Sequence, residues 1–245
     1  MAVAPSGELM RLLGWIPARG GSKGVPGKNK RVLGDRPLIT HTMVVARAAG
    51  CFDRIVVSTD DSEIAQLASE ARAEVPWMRP PELASDDSPA MDSLLYDLNR
   101  LEEEQNYRPD GVLLLQPTSP FRSVETVRRA AAMLAEAGSE SVISVSPAHE
   151  HPYWCKRIRE DGVLEPFFSD CPETIRRQDL PPAYVLNGVV YAATRDTLVS
   201  RHSFHSKNAR ALLVASEAES LDVDTPFDWL VAETVWRHSH LGVSA

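Results

Sequence analysis

The chain has 245 residues, 43% of them hydrophobic and 24% charged, with a formal net charge of −8. That length accommodates one α/β domain with a large core, and the acidic balance excludes a nucleic-acid polymer as the natural partner, because phosphate contacts need a basic surface. No apolar run reaches the roughly 20 residues of a membrane span, and the amino terminus does not read as a secretory signal. Cys51, Cys155 and Cys171 are an odd, scattered set without metal-ligand spacing. They are expected to be reduced thiols in a cytoplasm.

Residues 1–8 read as a loose tail, leaving residues 9–245 as one domain. Leu12 to Ile16 forms a short apolar run that predicts a first strand. A glycine-rich stretch follows, Pro17-Ala18-Arg19-Gly20-Gly21-Ser22-Lys23-Gly24-Val25-Pro26-Gly27-Lys28-Asn29. Four glycines in eight positions let the backbone bend tightly and approach a ligand closely. Arg19, Lys23, Lys28, Lys30 and Arg31 place five cations in thirteen positions, against the acidic bulk of the chain. Exposed N–H groups beside fixed cations suit a polyphosphate. The stretch is not a Walker loop: Gly21 to Gly27 is one residue too long, and Asn29 replaces the hydroxyl after Lys28. Nor is it the dinucleotide fingerprint, because Gly20 and Gly21 are adjacent. A solvated loop whose glycines only make turns is the alternative. The position just after a first strand, where open α/β sheets bind ligands, favours phosphate.

Leu38, Ile39, Thr42, Val45, Ala46 and Ala49 recur at helical spacing, with Gly50 where a C-cap belongs. Arg54 to Ser58 reads as a buried strand ending in Thr59-Asp60-Asp61, and Ile64, Leu67, Ala68 and Ala71 as a helix face. Glu74 to Met78 is expected to be a short third strand. Arg79 to Asp87 is a loop, because two prolines deny both helix and sheet. Ser88-Pro89 is expected to cap a helix with its apolar face on Met91, Leu94, Leu95, Leu98 and Leu101. Val112 to Leu115 is an unbroken apolar run suited to the centre of a parallel sheet. Gln116-Pro117-Thr118-Ser119-Pro120-Phe121-Arg122 is the loop at its carboxyl end. Ser123 opens a helix expected to close at Gly138, and Ser141 to Ser146 is the next strand.

The alternation of strand and helix predicts an α/β fold, Rossmann-like, with a mostly parallel sheet and helices on both faces. The rhythm breaks over residues 147–182, an irregular insert rich in proline and aromatic residues. An insert of that length in a compact domain is usually functional or interfacial. Tyr184 to Ala193 and Ala211 to Val214 resume as strands. Thr225-Pro226 caps a last helix through Trp236, with Asp228 placed to complete the cap.

Asp222-Val223-Asp224 sets two carboxylates two residues apart, pointing the same way on an extended segment. Such a pair is costly unless a cation neutralises it. Magnesium takes one or two carboxylates plus phosphate oxygens. A plain helix-entry loop is the alternative. For Arg176 and Arg177, a carboxylate clamp and a solvated pair stand as equal readings.

Five segments together resemble one family. They are the strand with Pro-Ala-Arg-Gly-Gly-Ser-Lys-Gly-x-Pro-x-Lys-Asn; Arg79-Pro80-Pro81-Glu82-Leu83-Ala84-Ser85-Asp86; Gln116-Pro117-Thr118-Ser119-Pro120; Arg177-Gln178-Asp179-Leu180-Pro181 before Asn187-Gly188; and Leu221-Asp222-Val223-Asp224-Thr225. In this order they resemble the N-acylneuraminate (sialic acid) cytidylyltransferases and their relatives acting on legionaminic and pseudaminic acids. The resemblance covers about Leu12 to Trp236 and implies a nucleotide-diphospho-sugar transferase-like fold. It implies transfer of CMP from CTP to a nine-carbon 2-keto sugar acid, with release of pyrophosphate. It implies nucleotide contacts from Ala18, Arg19, Gly20, Gly21, Ser22, Lys23, Lys28, Asn29, Arg79 and Ser85. Catalytic work would fall to Arg19, Lys28 and Asp224, and Mg2+ or Mn2+ to Asp222 and Asp224. Gln116, Arg176, Arg177 and Asn187 would meet the sugar acid. The insert would form a homodimer arm, with Trp154, Phe167 and Phe168 as apolar surface. A transferase for another sugar acid or nucleotide, and a non-catalytic nucleotide-binding module, are the alternatives.

Overall fold

The computed structural model describes residues 9–21, 24–85, 87–168 and 176–240. Strand β1 (Leu12–Pro17) leads into the glycine-rich loop, which closes on a two-residue hairpin, β2 (Val32–Leu33) with β3 (Arg36–Pro37). Helix α1 (Leu38–Ala49) follows and ends on Gly50 in the left-handed conformation, as the C-cap pattern predicts. Next come β4 (Arg54–Ser58), α2 (Ser62–Glu70), α3 (Ala90–Gln105), β5 (Gly111–Leu114), α4 (Val124–Ala135) and β6 (Ser141–Pro147). The insert carries a small exposed hairpin, β7 (Lys156–Ile158) with β8 (Leu164–Pro166). The chain returns through β9 (Tyr184–Thr194), α5 (Arg195–Arg201), β10 (Arg210–Leu213) and α6 (Pro226–His240).

The main sheet has six strands in the order β10-β6-β9-β5-β1-β4. All neighbours are parallel except β9, which runs antiparallel between β5 and β6. Alternate residues of β1 feed opposite faces. Leu12 and Ile16 pack with Ile39, Met43, Val127 and Ala130 from α1 and α4. Leu13 and Trp15 pack with Leu94, Leu98 and Leu198 from α3 and α5. Helices therefore cover both faces, as the strand and helix rhythm predicts.

Three local expectations are corrected. Glu74 to Met78 makes only one bridge, between Val56 and Glu74, because Pro76 has no N–H for a ladder. Helix α4 stops at Ala135 rather than running to Gly138, with extended Glu136 as its C-cap. Helix α3 starts on Pro89 without a side-chain cap, so Ser88 does not close its first turn.

A third apolar cluster has a particular role. Val25 and Leu33 from the front of the chain meet Val223, Trp229 and Ala232 from its end. Arg31 stacks its guanidinium 4.3 Å over the Trp229 ring. The glycine-rich loop and α6 are thus packed as one unit at the carboxyl edge of the sheet.

Candidate active site

β1 lies between β4 and β5, parallel to both, so the chain leaves it at a switch point of the sheet, where such folds open a ligand crevice. Ala18 is buried, and its N–H is held by the Ser58 carbonyl at 2.9 Å. Gly20 donates its N–H to Asp60 Oδ1 at 2.8 Å. Asn29 is also buried, and its amide donates to the Arg19 carbonyl at 3.1 Å, tying the two limbs of the loop together. Lys30 reaches outward to Asp61 and Glu63, at 2.8 and 2.7 Å. Those two carboxylates raise its pKa to about 12. Ser22 and Lys23 lie outside the described residues.

The far end of the chain meets this loop directly. A Cβ on Gly24 would lie 2.0 Å from the Asp224 carbonyl oxygen, so only glycine permits the approach. Lys28 Nζ donates to the Val223 carbonyl at 3.0 Å and to Asp224 Oδ1 at 2.6 Å. Val223 is fully buried, and its N–H is held by the Thr118 carbonyl at 2.8 Å. With Val223 inward, Asp224 is exposed, while Asp222 is half-buried. Thr225 and Asp228 make the reciprocal cap read from the sequence: Asp228 Oδ2 accepts from Thr225 N at 2.7 Å, and Thr225 Oγ1 accepts from Asp228 N at 3.2 Å.

Two cavities adjoin here. The smaller, about 350 Å³, is walled by Arg19, Gly21, Gly24, Lys28, Asn29 and Asp224. The larger, about 640 Å³, is walled by Asp222, Asn187, Gly188, Tyr191, Ser220 and the residues at the root of the insert. Gln116 borders both. Asp224 thus faces the smaller cavity and Asp222 the larger.

Asp222 is half-buried, and burial pushes its pKa up against the opposing pull of the nearby Thr118 hydroxyl, with the Asp224 charge adding to the rise. Its Oδ1 is buried without a hydrogen-bond partner among the described residues. An orphaned oxygen on a desolvated carboxylate suits a divalent cation. Among the described residues no group of three or more His, Cys, Asp or Glu side chains converges.

The other sequence-predicted residues are placed differently. Arg79 is buried and turned back onto Ser58, donating from Nε to the hydroxyl at 3.2 Å and from Nη2 to the carbonyl at 2.7 Å. Burial lowers its pKa. Ser85 is exposed on the neighbouring loop, and neither residue lines the two cavities. Asn187 does line the larger one, yet its side chain is engaged inside the sheet. Its Oδ1 accepts from Ser144 Oγ at 2.6 Å, and its amide donates to Ser146 Oγ at 2.8 Å. Arg176 is exposed and paired with Asp179 at 2.6 Å, away from both cavities. The Arg177 side chain lies outside the described residues.

Sequence reasoning missed two features. Asp60 and Asp61 close the loop from the carboxyl end of β4, next to β1; that position after a strand was the available signal. Arg122 is buried, and its hydrogen bonds go to uncharged oxygens of three different elements. Burial pushes its pKa down to about 9.

The family model described as Cytidylyltransferase matches residues 13–184. The chain belongs to this family. It is 44% identical over 230 residues to the CMP-N,N'-diacetyllegionaminic acid synthase of Legionella pneumophila, covering 91% of this chain and 95% of that protein. It is 34% identical over 218 residues to an N-acylneuraminate cytidylyltransferase of Streptococcus agalactiae, covering 88% of this chain and about half (51%) of that protein. A solved structure of a CMP:2-keto-3-deoxy-manno-octonic acid synthetase complexed with CTP superposes with a TM-score of 0.69. The superposition covers 94% of this chain and 99% of that one, at 17% identity. It supports the shared fold of this cytidylyltransferase.

Proposed function

We infer that this protein transfers CMP from CTP to the anomeric hydroxyl of a nonulosonic (sialic-type) acid, releasing pyrophosphate. The observation that carries the reading is the shared wall: Gln116 borders both cavities, with Asp224 in one and Asp222 in the other. The smaller, cationic cavity suits a triphosphate. The larger, mixed one suits a polyhydroxylated acid. The 44% identity to the Legionella synthase supports testing a legionaminic-type acid first among the candidate acceptors.

In this reading Arg19 and Lys28 offset the charge that builds on the departing pyrophosphate. Gly21 and Gly24 line the same cavity, and Ser22 and Lys23 are proposed as further phosphate contacts. Gln116 can both donate to and accept from the sugar's hydroxyls. The sugar oxygen attacks the α-phosphorus, and the bond to the β-phosphate bridging oxygen breaks. Magnesium or manganese held by Asp222 and Asp224 would neutralise phosphate charge and ease deprotonation of the attacking hydroxyl. Positioning and charge supply the rate, with no covalent protein intermediate.

We further propose that residues 9–245 form one cytidylyltransferase domain and that residues 147–182 mediate a homodimer. Supporting this, Ile158 and Leu164 on the hairpin are 75% and 65% exposed, and Trp154, Phe167 and Phe168 are exposed beside them. No described helix is long and apolar enough to cross a membrane. We place the enzyme in the cytoplasm, where its thiols stay reduced.

The test is pyrophosphate release from all four nucleoside triphosphates with sialic, legionaminic, pseudaminic and octulosonic acids. Turnover of CTP with a nine-carbon acid is expected. Turnover with the octulosonic acid alone would move the enzyme to another acceptor class. CTP binding without turnover on any acid would make the protein a binding module.

A further inference from the structure

We propose that Arg122 is a positioning residue for the transfer step, setting from behind the wall that divides the nucleotide cavity from the acceptor cavity. The inference rests on the transfer function argued above. It starts from a cation in an unusual place. Arg122 is 2% exposed, and its hydrogen bonds go to neutral oxygens. Nη2 donates to the Gln116 carbonyl at 2.7 Å, at the end of β5. Nε donates to the Val189 carbonyl at 2.6 Å, in β9. Nη1 donates to Thr42 Oγ1 at 3.0 Å, in α1. Glu219 and Asp222 offset part of this charge from a distance, but no carboxylate hydrogen-bonds it, and such burial costs stability that packing alone does not explain.

Its geometry does explain it. Gln116 follows β5, and Val189 lies in its antiparallel neighbour β9, both beyond the last paired residues, Leu114 and Tyr191. One rigid fork holds both carbonyls at once. That brings the Gln116 side chain against Gly188, within 3.9 Å of where a Cβ would stand. Gln116 and Gly188 are both walls of the acceptor cavity. The triphosphate cavity shares Gln116, Pro117 and Thr118, but its charged walls, Arg19 and Lys28 on the loop after β1 and Asp224, are ones Arg122 does not touch. Arg122 therefore controls where the acceptor sits relative to the nucleotide, and leaves nucleotide capture to other residues. Its positive charge also lies behind a wall that must face two anionic substrates.

The test uses the full chain with Arg122→Lys and Arg122→Ala. Lysine keeps the charge and loses the fork. Expected for both are a KM for CTP within about threefold of the unaltered enzyme, a raised KM for the sugar acid, and kcat/KM for that acid lower by about 10²-fold. Millimolar guanidinium is expected to restore part of the loss in Arg122→Ala and none in Arg122→Lys. Backbone amide exchange over 116–119 and 187–190 is expected to quicken in both variants. Variants that merely melt earlier, with both KM values and kcat unmoved, overturn the proposal. If the unaltered enzyme turns over no sugar acid, the transfer reading fails. Arg122 is then judged by exchange alone, and unchanged protection in those two segments overturns its role.

Discussion

Lys28 Nζ lies 2.6 Å from Asp224 Oδ1, joining the phosphate loop to the acidic segment across 196 positions of sequence. The contact places a cation and a carboxylate on one wall of one cavity. Asp224 keeps 64% of its side chain exposed against 13% for Lys28, and Lys28 also holds the Val223 carbonyl, so losing the carboxylate charge leaves Lys28 one partner and the carboxylate itself is open to ligands.

Replacing Asp224 with Asn should therefore leave the fold within about 1 kcal/mol of the unaltered protein. Pyrophosphate release should fall by about 10²–10³-fold, the scale set by losing one charge-stabilising group in a transition state. Chemical denaturation and a coupled pyrophosphate assay measure the two effects separately. Near-normal turnover would remove Asp224 from the metal site.

Gly24→Ala probes the same junction by shape. The new Cβ would meet the Asp224 carbonyl oxygen at 2.0 Å, and a backbone atom cannot rotate away. The loop and the acidic segment must separate, so activity should drop at least about tenfold by misplacement alone. Circular dichroism should be unchanged, because the six-stranded sheet does not depend on this contact. A fully active variant would mean that the junction is slack.

His41 predicts a pH dependence of stability. It is 8% exposed, its Nε2 lies 2.9 Å from the Leu33 carbonyl, and its ring meets Trp236 edge-on. A carbonyl only accepts, so Nε2 carries a proton. Burial lowers its pKa below the ordinary 6.5, outweighing the Leu33 hydrogen bond. The unfolded chain takes up a proton near 6.5 while the folded one resists. Stability from His41 is thus complete above 6.5 and falls as the pH drops toward the lowered folded value. Denaturation midpoints from pH 8 down to 5 should show this decline, and His41→Gln should flatten it. Parallel slopes in the two proteins would reject the assignment.

Asp97 is 1% exposed and accepts from Trp15 Nε1 at 2.8 Å and Trp77 Nε1 at 2.7 Å. Asp97→Ala strands both indole donors and should cost about 2–5 kcal/mol. Urea titration measures the cost, and tryptophan emission should shift as the indoles change partners. A loss under about 1 kcal/mol would show that water replaces the carboxylate freely.

The parts of this protein that could be read from sequence are those whose pattern is local. Leu12 to Ile16 alternates between two cores, and Gly50 ends its helix in the backbone region that glycine tolerates best. Asp222-Val223-Asp224 was legible because period two forces the aspartates away from a buried valine. The direction of β9 was not, since an apolar strand carries no sign of which way its neighbours run. Arg122 was not either: an arginine after Pro120-Phe121 reads as solvated until α1, β5 and β9 are known to close around it. Arg79 and Asn187 are motif positions whose side chains are engaged within the protein itself, on Ser58 and on the Ser144–Ser146 pair. Family spacing cannot tell such a support from a direct contact.

The cluster that joins Val25 and Leu33 to Val223 and Trp229 has a consequence for biosynthesis. Every strand of the main sheet leaves the ribosome before the acidic segment does. A nascent chain can thus hold a nearly finished fold and still lack the carboxylates proposed to hold its metal. Capacity for the reaction would arrive abruptly, when α6 settles against the loop made two hundred residues earlier.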